Sequence, residues 1–239
     1  GRRPMVTDKT GRLATLALER SPWRSARWLV IAPHSDDETL GAGALIHQAA
    51  EAGRLAGVVI LTDGAGSHDH PDAGSRARLI RTRRLEAGRA VRRLAGDAAA
   101  APVFLDWPDA QPASPGSLMF EATARRVAAL CRDQRVDAIA VTGPDDPHCD
   151  HQAAAQLARR AARIACRPVA VFDYVVWGAA PPGSKLRITT RPLRAGLRAY
   201  ALSSHQSQLT PMFGQGFRLE KERGLRAASD TLYRCDAYG

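Results

Sequence analysis

The sequence is poor in lysine, aromatics and paired cysteines, and each shortage removes a class of function. Only Lys9, Lys185 and Lys221 are lysines, so 34 basic residues minus 3 leaves 31 arginines, spread along an alanine-rich chain of 239 residues. The formal charge of +10 therefore comes without a clustered patch, and aromatics make up only 5% of the chain. Nucleic-acid modules combine a basic patch with a recognisable motif or with stacking aromatics, so no specific nucleic-acid partner is expected. Cys131, Cys149, Cys166 and Cys235 form no CxxC pair and no regular spacing. That excludes a disulfide framework and a zinc finger, and it suits a reducing compartment. No apolar stretch reaches the ~20 residues that span a bilayer, and the opening GRRPMVTDKTGRL leads into no secretory apolar core. A cytoplasmic location without a transmembrane segment is the expectation. Gly41 and Gly43 miss the spacing of a dinucleotide fingerprint.

What the chain does have is 45% hydrophobic residues, enough for a packed core. Apolar runs at 28–32, 58–62, 103–105, 136–141 and 169–176 alternate with helical patterns at 38–52, 75–95, 117–134 and 151–166. Near-continuous apolar runs are strands buried on both faces, as in parallel sheets. The order βαβαβαβαβ predicts a Rossmann-like α/β fold, a doubly wound and mostly parallel sheet. A further strand at 186–189 and a helix at 192–204 follow, after the proline and glycine cluster 179–184. We read residues 1–239 as a single domain, with a motif-bearing core over about 28–177 and a C-terminal extension over about 178–239. The stretch 75–96 is densest in arginine. Apolar positions at Leu79, Leu85, Val91 and Leu94 make it a helix with a solvated arginine face.

Two motifs carry chemistry. WLVIAPHSDDETLG at 28–41 delivers one imidazole and three carboxylates into a single turn after a strand, and PDDPHCDH at 144–151 adds two histidines. Side chains three apart in a helical turn point the same way, so His34 and Asp37 can converge on one ion. A third ligand from His148 or His151 leaves a position open for water, the arrangement of catalytic rather than structural zinc. The plainer alternative is that Ser35, Asp36 and Asp37 cap the following helix. In a doubly wound sheet both motifs follow strands at the carboxyl edge, where ligands bind. Asp63 and Gly64, and the run Asp106 to Asp109, belong to the same rim.

PHSDDETLG, ILTDG, RRLEAGRAVRRLAG, LDWPDA, DDPHCDH and SSHQSQ resemble, in that order, the PIG-L/LmbE-like family of zinc-dependent N-deacetylases. The resemblance runs over about 28–210. Ser35 stands where the family commonly has proline, which removes no ligand. The resemblance implies that His34, Asp37 and His151 hold the metal, one Zn2+ per chain with Fe2+ or another divalent ion as substitutes. It makes Asp36 the catalytic base and His148 the histidine that faces the developing oxyanion. It also points to Asp109 as a substrate contact. The implied reaction is removal of an N-acetyl group from an N-acetylated amino sugar of the N-acetylglucosaminide type, with an acidic or lipid aglycone allowed.

Zinc lowers the pKa of water to roughly 7 and polarises the acetamide carbonyl, while Asp36 takes the proton and returns it to the leaving amine. Asp150 is read as an acceptor that bonds the far nitrogen of a ligand imidazole and so orients the ring. Asp109 and Trp107 are the candidate sugar contacts, one polar and one an apolar platform. Arg83 and Glu86 read as an internal ion pair. His68 and His70 lie in a polar loop rather than a second metal site, and Trp177, Tyr174 and His205 can equally line the pocket or pack. Two rival readings stand beside the deacetylase. One is a non-haem iron oxygenase built on the H-x-D…H triad of His34, Asp36 and a distant histidine. The other is a catalytically inactive sugar-binding member of the fold.

Overall fold

The computed structural model describes residues 15–70, 72–97, 99–219 and 227–235. Eight strands form one sheet: β1 (Thr15–Ala17), β2 (Trp28–Ala32), β3 (Leu55–Thr62), β4 (Val103–Trp107), β5 (Ala138–Thr142), β6 (Ala170–Tyr174), β7 (Leu186–Thr189) and β8 (Thr231–Arg234). Their order across the sheet is β1-β7-β8-β6-β5-β2-β3-β4. All neighbours pair parallel except β8, which runs antiparallel to β6 and β7. The helices are α1 (Asp37–Glu51), α2 (Ala73–Ala95), α3 (Leu118–Asp133), α4 (Cys149–Ile164), α5 (Leu197–Leu202) and α6 (Gln206–Leu209). The expected doubly wound α/β sheet is therefore present, with the strand and helix bounds moved by a few residues. None of the described helices is long and apolar enough to cross a membrane.

Strand β2 is buried at all five positions because each face of the sheet is covered. Period-two alternation sends Trp28, Val30 and Ala32 into one core cluster, with Leu45, Leu94 and Phe172. It sends Leu29 and Ile31 into the other, with Val127, Leu157 and Ile139. On α2, Leu79, Val91 and Leu94 are buried as expected, but Leu85 is 57% exposed and lies outside the apolar stripe.

The C-terminal segment differs from expectation. The helix expected at 192–204 is only Leu197–Leu202, and β1, β8 and α6 were not foreseen, since strands of three or four residues carry too little pattern. A buried ion pair locks this segment onto α1: Arg198 Nη2 donates to Asp230 Oδ1 at 2.6 Å, and Arg198 Nη1 donates to the Thr39 carbonyl at 2.6 Å.

One glycine sets the approach of α1 to the sheet. A Cβ at Gly41 would run into the Tyr174 ring and stand 3.1 Å from Val176 Cγ2. Tyr174 cannot yield, because it is fully buried and its hydroxyl donates to the Ile31 carbonyl at 2.9 Å. Overpacking costs about 1–3 kcal/mol, against which alanine recovers only about 1 kcal/mol of helix propensity. Gly41→Ala is thus expected to lower the thermal unfolding midpoint by several degrees. An unchanged midpoint by circular dichroism would mean that this packing is looser than the geometry states.

Candidate active site

From the β4 edge inward the sheet runs β4-β3-β2-β5-β6, so the strand order reverses between β2 and β5. A crevice opens at the carboxyl ends of strands on either side of such a reversal. The residues after β2 (His34 to Glu38) and after β5 (Gly143 to His151) meet there, lining a pocket of about 270 Å³ with His34, Asp36, Asp37, Arg83, Asp109, His148, Trp177, Gln208 and Phe217.

Three donors converge tightly. His34 Nδ1 lies 3.2 Å from Asp37 Oδ2, His151 Nε2 lies 3.1 Å from the same oxygen, and the two ring nitrogens are 3.3 Å apart. Donors held 2.0–2.1 Å from a tetrahedral ion stand about 3.3 Å from one another, so this triangle has the edge length of three zinc ligands. The second oxygen, Asp37 Oδ1, is buried and without a hydrogen-bond partner among the described residues. The donor set is two imidazoles and a carboxylate, which fits a divalent ion with an open position. A looser set of His34, His148 and His151 also brings one ring nitrogen each within 4.8 Å of the others. The tighter triangle includes a carboxylate and leaves His148 out.

Burial lowers the affinity of His34 for a proton, but Asp109, Asp150 and Asp37 outweigh it and raise the ring well above the ordinary imidazole value. Burial opposes His151 likewise, yet Asp37 and Asp146 push it up to about 9. Burial also works against ionisation of Asp37, but His151 and His34 hold its carboxyl far below the usual range.

Carboxylates behind the ring nitrogens fix both imidazoles. Asp150 Oδ2 stands 3.0 Å from His34 Nε2 and accepts the Ala110 N–H at 2.9 Å. Asp109 Oδ1 is 3.3 Å from the same nitrogen. His151 Nδ1 lies 3.2 Å from Asp146 Oδ2, in ion-pair range but off the line of a hydrogen bond. Asp146 was missed in the sequence, although it stands inside the second motif. Its other contacts, accepting from the backbone N–H of His148 at 3.1 Å and of Trp177 at 3.4 Å, tie two loops together.

Asp36 occupies the N-cap of α1 yet makes no capping hydrogen bond with its side chain. The plain capping reading therefore fails for this residue, whose buried carboxyl faces the pocket instead. Burial first and the neighbouring Asp37 charge second push its pKa up to about 7. Its φ is 141°, a positive value that non-glycine residues keep only when their surroundings impose it.

His148 does act as a cap: its Nδ1 accepts the Asp150 N–H at 3.2 Å at the start of α4. That bond fixes the tautomer, because the accepting nitrogen carries no hydrogen and Nε2 must carry it in the neutral ring. Burial and the charges of His34 and His151 lower its pKa, favouring this neutral, N–H-donating form.

Two readings require correction, that of Trp107 and that of the Arg83–Glu86 pair. Trp107 is 1% exposed and lies in the core, its indole N–H donating to Thr123 Oγ1 at 2.9 Å, so it forms no sugar platform. Trp177 and Phe217 line the pocket in its place, their rings 6.4 Å apart, whereas Tyr174 packs. Phe217 had no signal in the sequence. Arg83 and Glu86 form no ion pair within bonding distance: Glu86 accepts from the Ser207 N–H at 2.9 Å and its hydroxyl at 2.5 Å. Arg83 is 3% exposed, lines the pocket, and has no hydrogen-bond partner for Nε or Nη2 among the described residues. His68 and His70 belong to no described metal cluster, bonding to Ser67 Oγ at 2.8 Å and to the Ala65 carbonyl at 2.7 Å. His205 is completely buried against Glu38, 3.2 Å away.

Comparison with known proteins bears on the fold and the family. No curated protein sequence matches the chain. Among solved structures, an N,N'-diacetylchitobiose deacetylase from Pyrococcus horikoshii superposes with a TM-score of 0.59 at 21% identity, covering 79% of this chain and 73% of that one. The A40926 pseudoaglycone deacetylase Dbv21 gives 0.61 at 17% identity over 90% and 98%. GalB, the 4-carboxy-2-hydroxymuconate hydratase from Pseudomonas putida KT2440, gives 0.54 at 24% identity over 75% and 78%. At these identities the likeness speaks for the fold. The family model described as PIG-L, GlcNAc-PI de-N-acetylase, matches residues 29–162, more than half of the chain and both motifs that build the pocket, so the chain belongs to the PIG-L family.

Proposed function

We propose that the protein is a metal-dependent N-deacetylase that hydrolyses the acetamide of an N-acetylated amino sugar, releasing acetate and a free amine. The observation that carries this reading is the triangle of His34 Nδ1, Asp37 Oδ2 and His151 Nε2, with edges of 3.1 to 3.3 Å, beside a buried Asp36 carboxyl that caps nothing. The three donors would hold one divalent ion, most simply zinc. When bound, it supplies Lewis-acid polarisation of the amide carbonyl and an acidified water.

The protein's own groups do the rest. Asp36, whose buried carboxyl lines the pocket and caps nothing, takes the proton from the attacking water and passes it to the departing amine. His148 donates its Nε2–H to the carbonyl oxygen as negative charge builds there. Asp150 and Asp109 behind His34, and Asp146 behind His151, keep the ligand rings from turning. Arg83, Asp109 and Trp177 face the space a sugar ring would fill, two charged groups for its hydroxyls and an indole for its apolar face. Gln208 and Phe217 line the same pocket, so in this reading residues 178–219 belong to the same unit as the core and complete it.

Hydrolysis is preferred to the oxygenase because Asp37, not Asp36, closes the donor triangle, leaving Asp36 free as a base. The test is acetate release across a panel of N-acetylglucosaminides differing in aglycone, assayed with and without zinc. Zinc-dependent release from at least one is expected. Binding without release would favour the inactive sugar-binding reading, and hydration of an unsaturated acid instead would favour a GalB-like reaction.

A further inference from the structure

The reaction just described uses the pocket side of the His34 to Glu38 turn and leaves its buried side without a role. There Glu38 and His205 are both completely buried, with His205 Nε2 3.2 Å from Glu38 Oε1. The same carboxylate accepts the Thr39 hydroxyl at 2.7 Å through Oε1 and the backbone N–H of Asp36 at 2.8 Å through Oε2. A carboxylate can only accept, so the hydrogen on His205 Nε2 points at it. His205 Nδ1 has no hydrogen-bond partner among the described residues, so the polar tie that orients the ring is the one to Glu38.

Downstream of this pair stands Asp36 at φ 141°, a conformation that persists only when neighbours over-determine it. Its N–H is held by Glu38, and its carbonyl accepts from Thr39 and Leu40 at 2.9 Å each, so the peptide is gripped on both sides. His205 opens a segment that presses on the back of the site at three points. Ser207 bonds to Glu86 and Gln208 Nε2 to the Ser35 carbonyl, beside the His205 link to Glu38. Glu38 and His205 are 167 residues apart in sequence, so the fold supplies the juxtaposition.

We propose that His205 is a positioning residue for the deacetylation: acting through Glu38, it holds the Asp36 peptide in its strained conformation and so keeps the Asp36 carboxyl aimed into the pocket. The charge of Glu38 is far from solvent, where its attraction to a donor is unscreened and its orientation stiff. His205 touches neither the donor triangle nor the pocket. Its effect therefore belongs to the step that Asp36 performs, rather than to metal or substrate affinity.

This inference rests on the deacetylase reading, and the test separates the two. His205→Asn, whose amide falls short of Glu38, is compared with His205→Gln, whose longer amide reaches it. Misplacing a reacting group by about 1 Å can cost ~10² in rate, and that fall in kcat is expected for the Asn variant, with KM and zinc content within about twofold of wild type. The Gln variant should recover to within about fivefold. Crystal structures of both zinc-loaded variants give a readout independent of turnover: Asp36 leaves its positive φ in the Asn variant and keeps it in the Gln variant. If Asp36 keeps its φ in both, or if the Asn variant loses zinc and its KM rises as kcat falls, the proposal is overturned. A wild-type protein that releases acetate from no substrate overturns the deacetylase reading alone, and the two crystal structures still decide whether His205 holds Asp36. Should the Asn variant fail to fold, Glu38→Gln, which retains an acceptor for the Asp36 N–H but weakens the tie to His205, is read in the same way.

Discussion

Replacing His34, Asp37 or His151 with alanine is expected to strip the protein of its divalent ion, from about one per chain to near none, and to abolish acetate release. The edges of this triangle are 3.1 to 3.3 Å, so losing one corner leaves two close donors, with His148 only in the looser set and its Nδ1 engaged by the Asp150 N–H. The loss should exceed the roughly 10- to 100-fold that removal of an outer-shell partner costs. His148→Ala is the control within the same set. Its Nδ1 is engaged by the Asp150 N–H and its ring stands outside the triangle, so that variant should keep the metal while its turnover falls. Metal analysis after dialysis decides: loss of zinc from the His148 variant together with retention in the His151 variant would exchange the two histidines. Because burial is outweighed by the surrounding carboxylates and His151 is pushed up to about 9 in the metal-free protein, protons compete with the ion, and zinc should be released as the pH falls.

Asp36→Asn is the second large effect, and it separates binding from chemistry. Asn is close to isosteric with Asp, and the hydrogen bonds that hold the turn at φ 141° run through the Asp36 backbone N–H and carbonyl rather than its side chain, so the turn should survive the change. The metal is therefore expected to remain, while kcat falls by ~10² to 10⁴, the contribution of a positioned general base. The wild-type carboxylate is the working form, so kcat/KM should fall as the pH drops through its pKa. Burial and the Asp37 charge push that pKa up to about 7 in the metal-free protein, and a bound dication brings it lower. The Asn variant should lack this acid limb. Near-wild-type turnover with metal bound would remove Asp36 from the reaction.

Much of this site was legible before folding, because its motifs are local. His34, Asp36 and Asp37 sit in one turn after a strand, and His148, Asp150 and His151 in another, so spacing alone places each group at the mouth of its strand. The doubly wound sheet was legible for the same reason: β2, β3 and β5 are apolar enough to be buried on both faces, and no long-range information is needed to see that.

What tertiary structure decided concerns partners far apart in sequence. Whether Trp107 or Trp177 faces the pocket depends on which side of the sheet covers each, and Trp107 is sealed beneath Phe120, at a ring separation of 6.1 Å. Arg83 and Glu86 look like a pair along α2, yet Glu86 turns to Ser207 in α6 and leaves the guanidinium to the pocket. Asp146 could be told from Asp150 as the partner of His151 only once the loop after β5 had closed. The sequence by itself determined which chemical groups stand at each strand end, since strand periodicity and turn spacing are properties of neighbouring residues. Which of those groups touch was decided by packing, where α1, α2 and the C-terminal segment compete for the same buried space.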